Sequence, residues 1–257
     1  MYPFIHIFSW QIPSYGLMIF WGLTAAALFV FFVNKKSVPP LIPADDLFNI
    51  AALTCVGIIV GSKLLHVLTL APVIIKNLVD FLNTPSSLLT LLSGGGVFYG
   101  GLFGAITAVW LYCHKYKLPW HNAAELFTCA IPLFHAFGRI GCFLGGCCYG
   151  REWEHGIIFH NAQAAPNDIP LIPVQLIESS FNILLFLTLL YLRRRLKSPW
   201  QIFPIYLASY AVMRFVLEFF RGDMLRGVFL ISTSQWISAV ILMALLVIYL
   251  KRKKCKP

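Results

Sequence analysis

Residues 134–150 read FHAFGRIGCFLGGCCYG, an apolar segment that turns into a glycine-rich loop with Arg139 at the junction. Five glycines in the last thirteen residues let the backbone approach another backbone, or a ligand, where a side chain would not fit. An arginine at such a depth is costly unless it faces a cavity or a partner. The stretch therefore predicts an anion site inside a membrane. The alternative is an interfacial Arg139 that extends to the headgroups beside a tightly packed turn.

The composition of the 257-residue chain is typical of a membrane protein. Hydrophobic residues make up 59% and charged residues 12%, whereas soluble chains carry about 25% charged residues. The net charge of +10 lies in short tracts beside apolar segments, which indicates anionic lipid and membrane orientation rather than nucleic acid. The first basic pair, Lys35-Lys36, follows the first apolar stretch, so we expect no cleavable signal peptide.

Seven apolar segments are long enough to cross a hydrocarbon core of ~30 Å, which takes about 20 helical residues. They are residues 14–33, 47–70, 97–114, 123–141, 173–192, 201–219 and 229–250. Thirteen of the 20 lysines and arginines follow the first, third, fifth and seventh segments. Because basic residues flank the cytoplasmic ends of spans, the sequence predicts an all-α integral membrane protein with its amino terminus outside and its carboxyl terminus in the cytoplasm.

Two stretches on the outer side differ from simple loops, within what we expect to be a single polytopic membrane domain, residues 1–257. Residues 71–95 are apolar but interrupted by charged residues and Pro85, so they predict an interfacial or re-entrant segment. Residues 142–172 are polar and contain two prolines, Pro166 and Pro170, so they predict an outer cap loop.

Four polar residues of the sixth segment lie four, four and three positions apart, which predicts one stripe along a helix. They are Tyr210, Arg214, Glu218 and Arg221. A purely structural pair of Arg214 and Glu218 is one alternative, but two arginines share one glutamate and leave a positive charge. Together with Arg139 the stripe predicts a phosphodiester site, because a guanidinium donates paired hydrogen bonds to phosphate oxygens and stays charged. Glu125 and Glu178 are candidate partners for the remaining charge.

Three cysteines, Cys142, Cys147 and Cys148, lie close together in the sequence, with His135 and His155 nearby. Their spacing differs from the paired C-x2-C of common zinc sites, so we expect no metal. A disulfide between Cys142 and one of the other two is an alternative if this side is oxidising. Our expectation is that these thiols pack as small apolar side chains.

Several short motifs are spread along the chain between residues 15 and 235. They are Tyr15-Gly16, Phe98-Tyr99-Gly100-Gly101-Leu102, Gly138-Arg139-Ile140-Gly141 with Phe143 and Tyr149-Gly150, Pro173-x-Gln175-Leu176-x-Glu178, Tyr210 with Arg214, Glu218-Phe219-Phe220-Arg221 and Asp223, and Gln235. Each motif alone is a weak signal, but the set of motifs and their order along the chain resemble those of the bacterial prolipoprotein diacylglyceryl transferases.

The resemblance implies a seven-helix enzyme of the bacterial inner membrane. Such an enzyme transfers the diacylglyceryl group of phosphatidylglycerol to the lipobox cysteine of a preprolipoprotein and releases glycerol phosphate, with no cofactor or metal. The resemblance implies catalytic roles for Arg139, Arg214 and Tyr99. It implies substrate-binding roles for Tyr15, Gly100, Gly101, Gly138, Cys142, Gly150, Gln175, Glu178, Tyr210, Glu218, Arg221 and Gln235.

The sequence departs from the family pattern at three positions, where Tyr99, Cys142 and Cys147 replace the usual histidine, asparagine and acid. A tyrosine with a pKa near ~10 is a poor base at neutral pH. We therefore expect Tyr99 to orient the lipid by hydrogen bonding; the alternative is loss of the usual activity. Candidate bases elsewhere are His135, His155 and His160. Two other functions remain open: a paralogue that uses the same lipid with a different acceptor, and a phospholipid-binding membrane protein without chemistry.

Overall fold

The computed structural model describes residues 1–7, 10–37, 40–77, 86, 97–196, 201–222, 227–228 and 231–254. Within them, seven long helices follow the predicted apolar segments. These are α1 (Ser14–Lys36), α2 (Ala44–Lys76), α3 (Phe98–Lys115), α4 (Trp120–Gly145), α5 (Val174–Arg195), α6 (Ile202–Leu217) and α7 (Thr233–Lys254). The prediction of an all-α membrane protein is confirmed.

Six of the helices described, all except α3, are long and apolar enough to cross a membrane. Helix α3 has 18 residues, two of them the polar His114 and Lys115 at its end. The count of seven spans and the orientation of the termini therefore stay predictions. Basic residues do lie in the last turns of α1 and α5, as the orientation requires.

Three short antiparallel strand pairs lie between or before the helices. They are β1 (Phe4–Ile7) with β2 (Trp10–Pro13), β3 (Glu152–Ile158) with β4 (Pro170–Leu171), and β5 (Gly227–Val228) with β6 (Ile231–Ser232). In the first pair Phe4 is opposite Pro13, and β2 leads directly into α1. The second pair, β3 with β4, lies within the predicted cap loop, which therefore contains a small antiparallel element rather than coil alone.

The chain divides into two compact units, Asn34–Ala123 in one and Met1–Val33 with Ala124–Pro257 in the other. The first unit contains a backbone-to-backbone contact between α2 and α3. Gly57 and Gly61 of α2 face Gly100 and Gly104 of α3, and a Cβ added at Gly104 would overlap the Gly57 carbonyl. Small residues four apart on both helices allow this approach. Close helix packing therefore accounts for Gly100 and Gly104.

The core of the second unit lies among α4, α5 and α6. Its buried apolar side chains are Cys129, Val174, Leu185, Leu189, Ile202, Tyr206, Tyr210, Met213 and Leu217. Helix α5 also buries a polar stripe, composed of Gln175, Glu178, Ser179 and Asn182. Because an apolar surround makes an unpaired polar group costly, these side chains have specific partners. Ser179, for example, donates to the carbonyl of Ala136 over 3.0 Å.

Two expectations about helix ends are wrong. Helix α4 continues through Gly145, so Arg139 lies inside a helix and not at its junction with a loop. Helix α6 ends at Leu217 and a 3₁₀ turn follows, so the polar stripe stops before Arg221, whose backbone is extended (φ −76°, ψ 143°). The reason is that backbone groups of residues 220–222 bond to residues 149–151 instead of continuing the helical pattern.

The predicted interfacial segment, residues 71–95, falls mostly outside the described residues. Its first residues continue α2, which extends to Lys76. Asp223, which completes the late motif, also lies outside the described residues.

Candidate active site

The carboxylate of Glu178 on α5 is the centre of a group of buried charges. Its side chain is fully buried, and four side chains from α4 and α6 surround it. Arg139 Nε lies 3.1 Å from Oε1 and Arg214 Nη1 lies 3.6 Å from Oε2. The Tyr210 hydroxyl donates to Oε1 over 3.5 Å. The expectation that Glu178 compensates arginine charge is confirmed.

Arg139 and His135 are one turn apart on α4 and share a contact. The Nε–H of Arg139 donates to Nε2 of His135 over 3.2 Å. An imidazole nitrogen that accepts a hydrogen bond carries no proton, so His135 is neutral in this arrangement, with its proton on Nδ1. The 3.6 Å between His135 Nε2 and Glu178 Oε1 is therefore proximity rather than an ion pair. His135 is the one of the three candidate histidines that the structure brings to these charges.

Arg214 of α6 connects Glu178 to the 3₁₀ turn that follows α6 and to α7. Its Nη2 lies 2.8 Å from Glu218 Oε2 and donates to Ser234 Oγ over 3.3 Å. The predicted pair of Arg214 and Glu218 exists, but Glu178 is a second acid for the same guanidinium. Nη1 of Arg214 is buried and has no hydrogen-bond acceptor among the described residues, since Glu178 Oε2 at 3.6 Å is too far. We call Arg139, Glu178, Arg214 and Glu218 the charge cluster.

The formal charges of the charge cluster cancel, and Arg221 adds one more positive charge. Arg221 is buried, and its charge acts on Glu178. A bridge between Gly150 and Arg221 holds it there, because the Gly150 backbone fits where a Cβ would overlap Ile172 and Val174. With His135 neutral, the site carries a formal charge of about +1, which is the complement of a phosphodiester.

Glu125, the other candidate partner, lies elsewhere. It forms an ion pair of 2.7 Å with Arg193, the first of three basic residues at the end of α5. Both side chains remain 16–17% exposed. This acid therefore neutralises a charge at the opposite end of α5 from Glu178 and takes no part in the charge cluster.

The three neighbouring cysteines form a second group, which we call the thiol cluster: Cys142, Cys147 and Cys148. Their sulfurs all lie within 4.8 Å of one another, and all three thiols are free. Hydrogen bonds from Cys142 and Cys147, together with the charge of Arg221, hold the pKa of the Cys148 thiol well below its usual range. At Cys147 a hydrogen bond from Cys142 acts in the same direction, but the bond to Cys148 and burial prevail and raise its pKa to about 11.

Gln175 connects the thiol cluster to α5. Its buried amide donates to the carbonyl of Cys147 over 2.7 Å, so it positions the loop rather than contacting the charge cluster. Gln235 caps the start of α7, where it accepts from the backbone of Ser232 over 3.0 Å, and it also reaches the carbonyl of Phe215 on α6 over 3.4 Å.

The remaining candidate residues divide between the two units. In the unit of the charge cluster, Tyr15 of α1 lies against Gly141 of α4, where any Cβ would touch its ring, and Gly138 faces Ile19. In the other unit Gly101 faces Ile58. The side chain of Tyr99 lies outside the described residues, so its predicted role stays a prediction.

Two residues of the site were not placed in it from the sequence, although one of them, His135, was named as a candidate base. His135 is four residues before Arg139, and this i, i+4 spacing on a helix is a signal that places both on one face. Ser234, which accepts from Arg214, has no comparable signal, because a serine at the start of a helix more often serves as a cap.

Buried arginines that meet acids between membrane-spanning helices are typical of multi-pass membrane proteins that act on a charged substrate inside the bilayer. A comparison with known protein families gives a match over nearly the whole chain. The family described as "Prolipoprotein diacylglyceryl transferase" matches residues 3–251. The chain belongs to this family.

Curated relatives agree with this assignment. A phosphatidylglycerol–prolipoprotein diacylglyceryl transferase of Clostridium tetani is 37% identical over 234 residues, which cover 90% of each chain. Phosphatidylglycerol–prolipoprotein diacylglyceryl transferase 2 of Clostridium perfringens is 35% identical, and the match covers 95% of this chain and 92% of that protein. One from Ruegeria pomeroyi is 33% identical, with 82% of this chain and 74% of its own covered.

Proposed function

We propose that this protein transfers the diacylglyceryl group of phosphatidylglycerol to the lipobox cysteine of a preprolipoprotein and releases glycerol phosphate. The observation that carries the proposal is the convergence of Arg139 and Arg214 on one buried carboxylate, in a chain of this family. The two guanidiniums come from different helices, so an anion between them is held from two sides.

The contacts of the two arginines leave donors for a phosphate. Arg139 makes both of its contacts with described residues through Nε, and Arg214 Nη1 has no acceptor among them. Three acceptor oxygens of a phosphodiester suit such donors, because charge-assisted bonds from a planar guanidinium are short and strong. Glu178 keeps both guanidiniums oriented before the lipid arrives, which lowers the cost of reorganisation on binding.

The chemistry is a displacement at carbon. The sulfur of the acceptor cysteine forms a bond to the glycerol carbon, and the bond from that carbon to the phosphate oxygen breaks with its electron pair leaving on phosphate. The leaving group gains negative charge, which Arg139 and Arg214 stabilise in the transition state. The proton of the acceptor thiol is lost before or during attack, since the thiolate is the nucleophile.

The depth of the charge cluster suits a lipid headgroup. Glu178 is four residues from the start of α5 and Arg139 six residues from the end of α4, which is about 6 and 9 Å along the helices at 1.5 Å per residue. With the amino terminus outside, both helix ends face the outer side of the bacterial inner membrane. A phosphate of the outer leaflet and a lipobox cysteine emerging there would meet at this depth.

The test uses purified protein in micelles with phosphatidylglycerol and a lipobox peptide, following peptide mass and released glycerol phosphate together. We expect a diacylglyceryl mass gain with matching release. Arg139→Ala and Arg214→Ala should each lower the rate by at least about 10²-fold, the usual loss for one transition-state donor. Arg193→Ala, which removes a guanidinium from the far end of α5, is the matched control and should stay within a few-fold of the parent.

Other outcomes would assign the site differently. Glycerol phosphate release without a modified peptide would indicate another acceptor, or water. Bound lipid without either product, in folded protein, would indicate a phospholipid-binding protein. Near-normal rates in both arginine variants would rule out the phosphate site.

A further inference from the structure

The thiol cluster has the composition of a soft-metal site. Its three ligand atoms are all sulfur, within 4.8 Å of one another, and none of the charge cluster's carboxylates belongs to the group. Sulfurs bound 2.3 Å from one tetrahedral ion lie about 3.8 Å apart. Closure by about an ångström would bring these thiols to that geometry, whereas a disulfide requires about 2 Å between two sulfurs and leaves the third thiol unused.

The chain around the cysteines holds the three sulfurs together from different directions. Cys142 is in the last turn of α4, and Gly146 and Cys148 have left-handed backbone angles (φ +71° and +59°) that fold the following loop back toward it. The backbone N–H of Cys147 donates to the carbonyl of Cys142 over 3.0 Å. Gln175 fixes the same loop from α5 over 2.7 Å. The cluster is therefore formed before any ligand binds.

Two positive side chains lie near the thiol cluster. Arg139 is one turn before Cys142 on α4, and the backbone of Arg221 pairs with Gly150, two residues after Cys148. Three thiolates with a divalent ion leave one negative charge, and these guanidiniums can offset it. Packing alone does not explain the group, because Cys147 and Cys148 are only partly buried.

We propose that Cys142, Cys147 and Cys148 bind one thiophilic d¹⁰ metal ion such as Zn²⁺, with the fourth coordination position open to a substrate thiol. All-sulfur ligands select such ions over hard cations, and three protein ligands with an open position are the pattern of reactive rather than structural zinc sites. The sequence analysis expected no metal here, because the spacing of the cysteines differs from that of common zinc sites.

The role of the open position rests on the proposed function. A thiol that binds the ion loses its proton to solvent, so no separate base is needed. The bound sulfur then forms the bond to the glycerol carbon while the carbon–oxygen bond breaks and its electrons leave with glycerol phosphate. The neutral thioether product binds the ion more weakly than the thiolate and dissociates.

The site is tested by metal binding alone, in full-length protein in micelles that has been reduced and freed of metal with a chelator. Cys55→Ser and Cys255→Ser form the background, because Cys55 is exposed and would itself bind the probe. Cd²⁺ is titrated and its thiolate charge-transfer absorption is followed. We expect one ion per chain, with at least a tenfold loss of affinity in Cys142→Ser, Cys147→Ser or Cys148→Ser.

Cys129→Ser is the matched control, since this cysteine is on the same helix but buried in the core. Its variant should bind Cd²⁺ like the background. Binding that is unchanged when all three cluster cysteines are serine, or no binding by protein whose thiols are shown to be reduced, would overturn the metal site.

Transfer activity of the same samples tests the open position. We expect chelation to lower peptide modification at least tenfold and Zn²⁺ to restore it. Full activity of metal-free protein would overturn the role of the ion in transfer. One bound ion per chain with no transfer in any form would count against the proposed function and leave the metal site standing.

Discussion

Replacement of Glu178 by glutamine tests whether burial or distance determines how much an ion pair contributes to the stability of this protein. The change keeps the shape of the side chain and removes its charge. With an effective dielectric constant of about 20, the attraction of Glu178 to Arg139 at 3.1 Å and to Arg214 at 3.6 Å is about 5 kcal/mol each. A neutral glutamine costs less free energy to bury than a carboxylate, which offsets part of the lost attraction. In measured cases, breaking a buried ion pair costs about 3–5 kcal/mol.

The matched control is Glu125→Gln. Its ion pair with Arg193 is shorter, at 2.7 Å, but both side chains are in partial contact with solvent. Such pairs contribute about 1 kcal/mol or less. At about 2–4 °C per kcal/mol for a chain of this size, we expect Glu178→Gln to lower the Tm in micelles by about 10 °C and Glu125→Gln by about 2–4 °C.

A double variant separates charge from packing. Removing Arg139 as well, as Arg139→Gln, takes away one of the uncompensated charges, so the double variant should melt above Glu178→Gln alone. Thermal unfolding followed by circular dichroism is the assay. The reasoning is refuted if Glu125→Gln lowers the Tm as much as Glu178→Gln does, or if the double variant loses the sum of both single losses.

Three further changes test other parts of the molecule. Gly104→Ala should lower the Tm because its Cβ would overlap the Gly57 carbonyl, whereas Gly16→Ala, which has open space, should raise it slightly; equal shifts would contradict the α2–α3 contact. In reduced, metal-free protein at pH 7, iodoacetamide should alkylate Cys148 before Cys147, because the lowered pKa keeps Cys148 a thiolate while Cys147 ionises only as the pH approaches about 11. Peptide mass spectrometry measures the order, and the reverse order would contradict it. Tyr99→Phe should lower the transfer rate about tenfold or more if its hydroxyl orients the lipid, and full activity would exclude that role.

Predictions from local patterns were accurate where one helix carries the whole pattern. Apolar length located all seven long helices of the described residues. The spacing of Tyr210 and Arg214 placed them on one face of α6, and Glu218 follows in the first position of the 3₁₀ turn. The same rule failed for Arg221, because residues 220–222 bond to residues 149–151, which come from a distant part of the chain. Glycine density suggested that α4 ends near Arg139, yet the helix continues through Gly145.

The class of the protein, its apolar helices and the arginines and acids that need partners can be inferred from the sequence alone. These follow from hydropathy and helical periodicity, which depend only on neighbours along the chain. Which acid meets which arginine is known only from the folded chain, where Glu178 rather than Glu125 lies between Arg139 and Arg214. Folding also brings Cys142 together with Cys147 and Cys148, through a loop fixed from α5. Such choices depend on how helices pack against each other, and the cost of burying an unpaired charge favours the arrangement in which the buried carboxylate of Glu178 meets two guanidiniums.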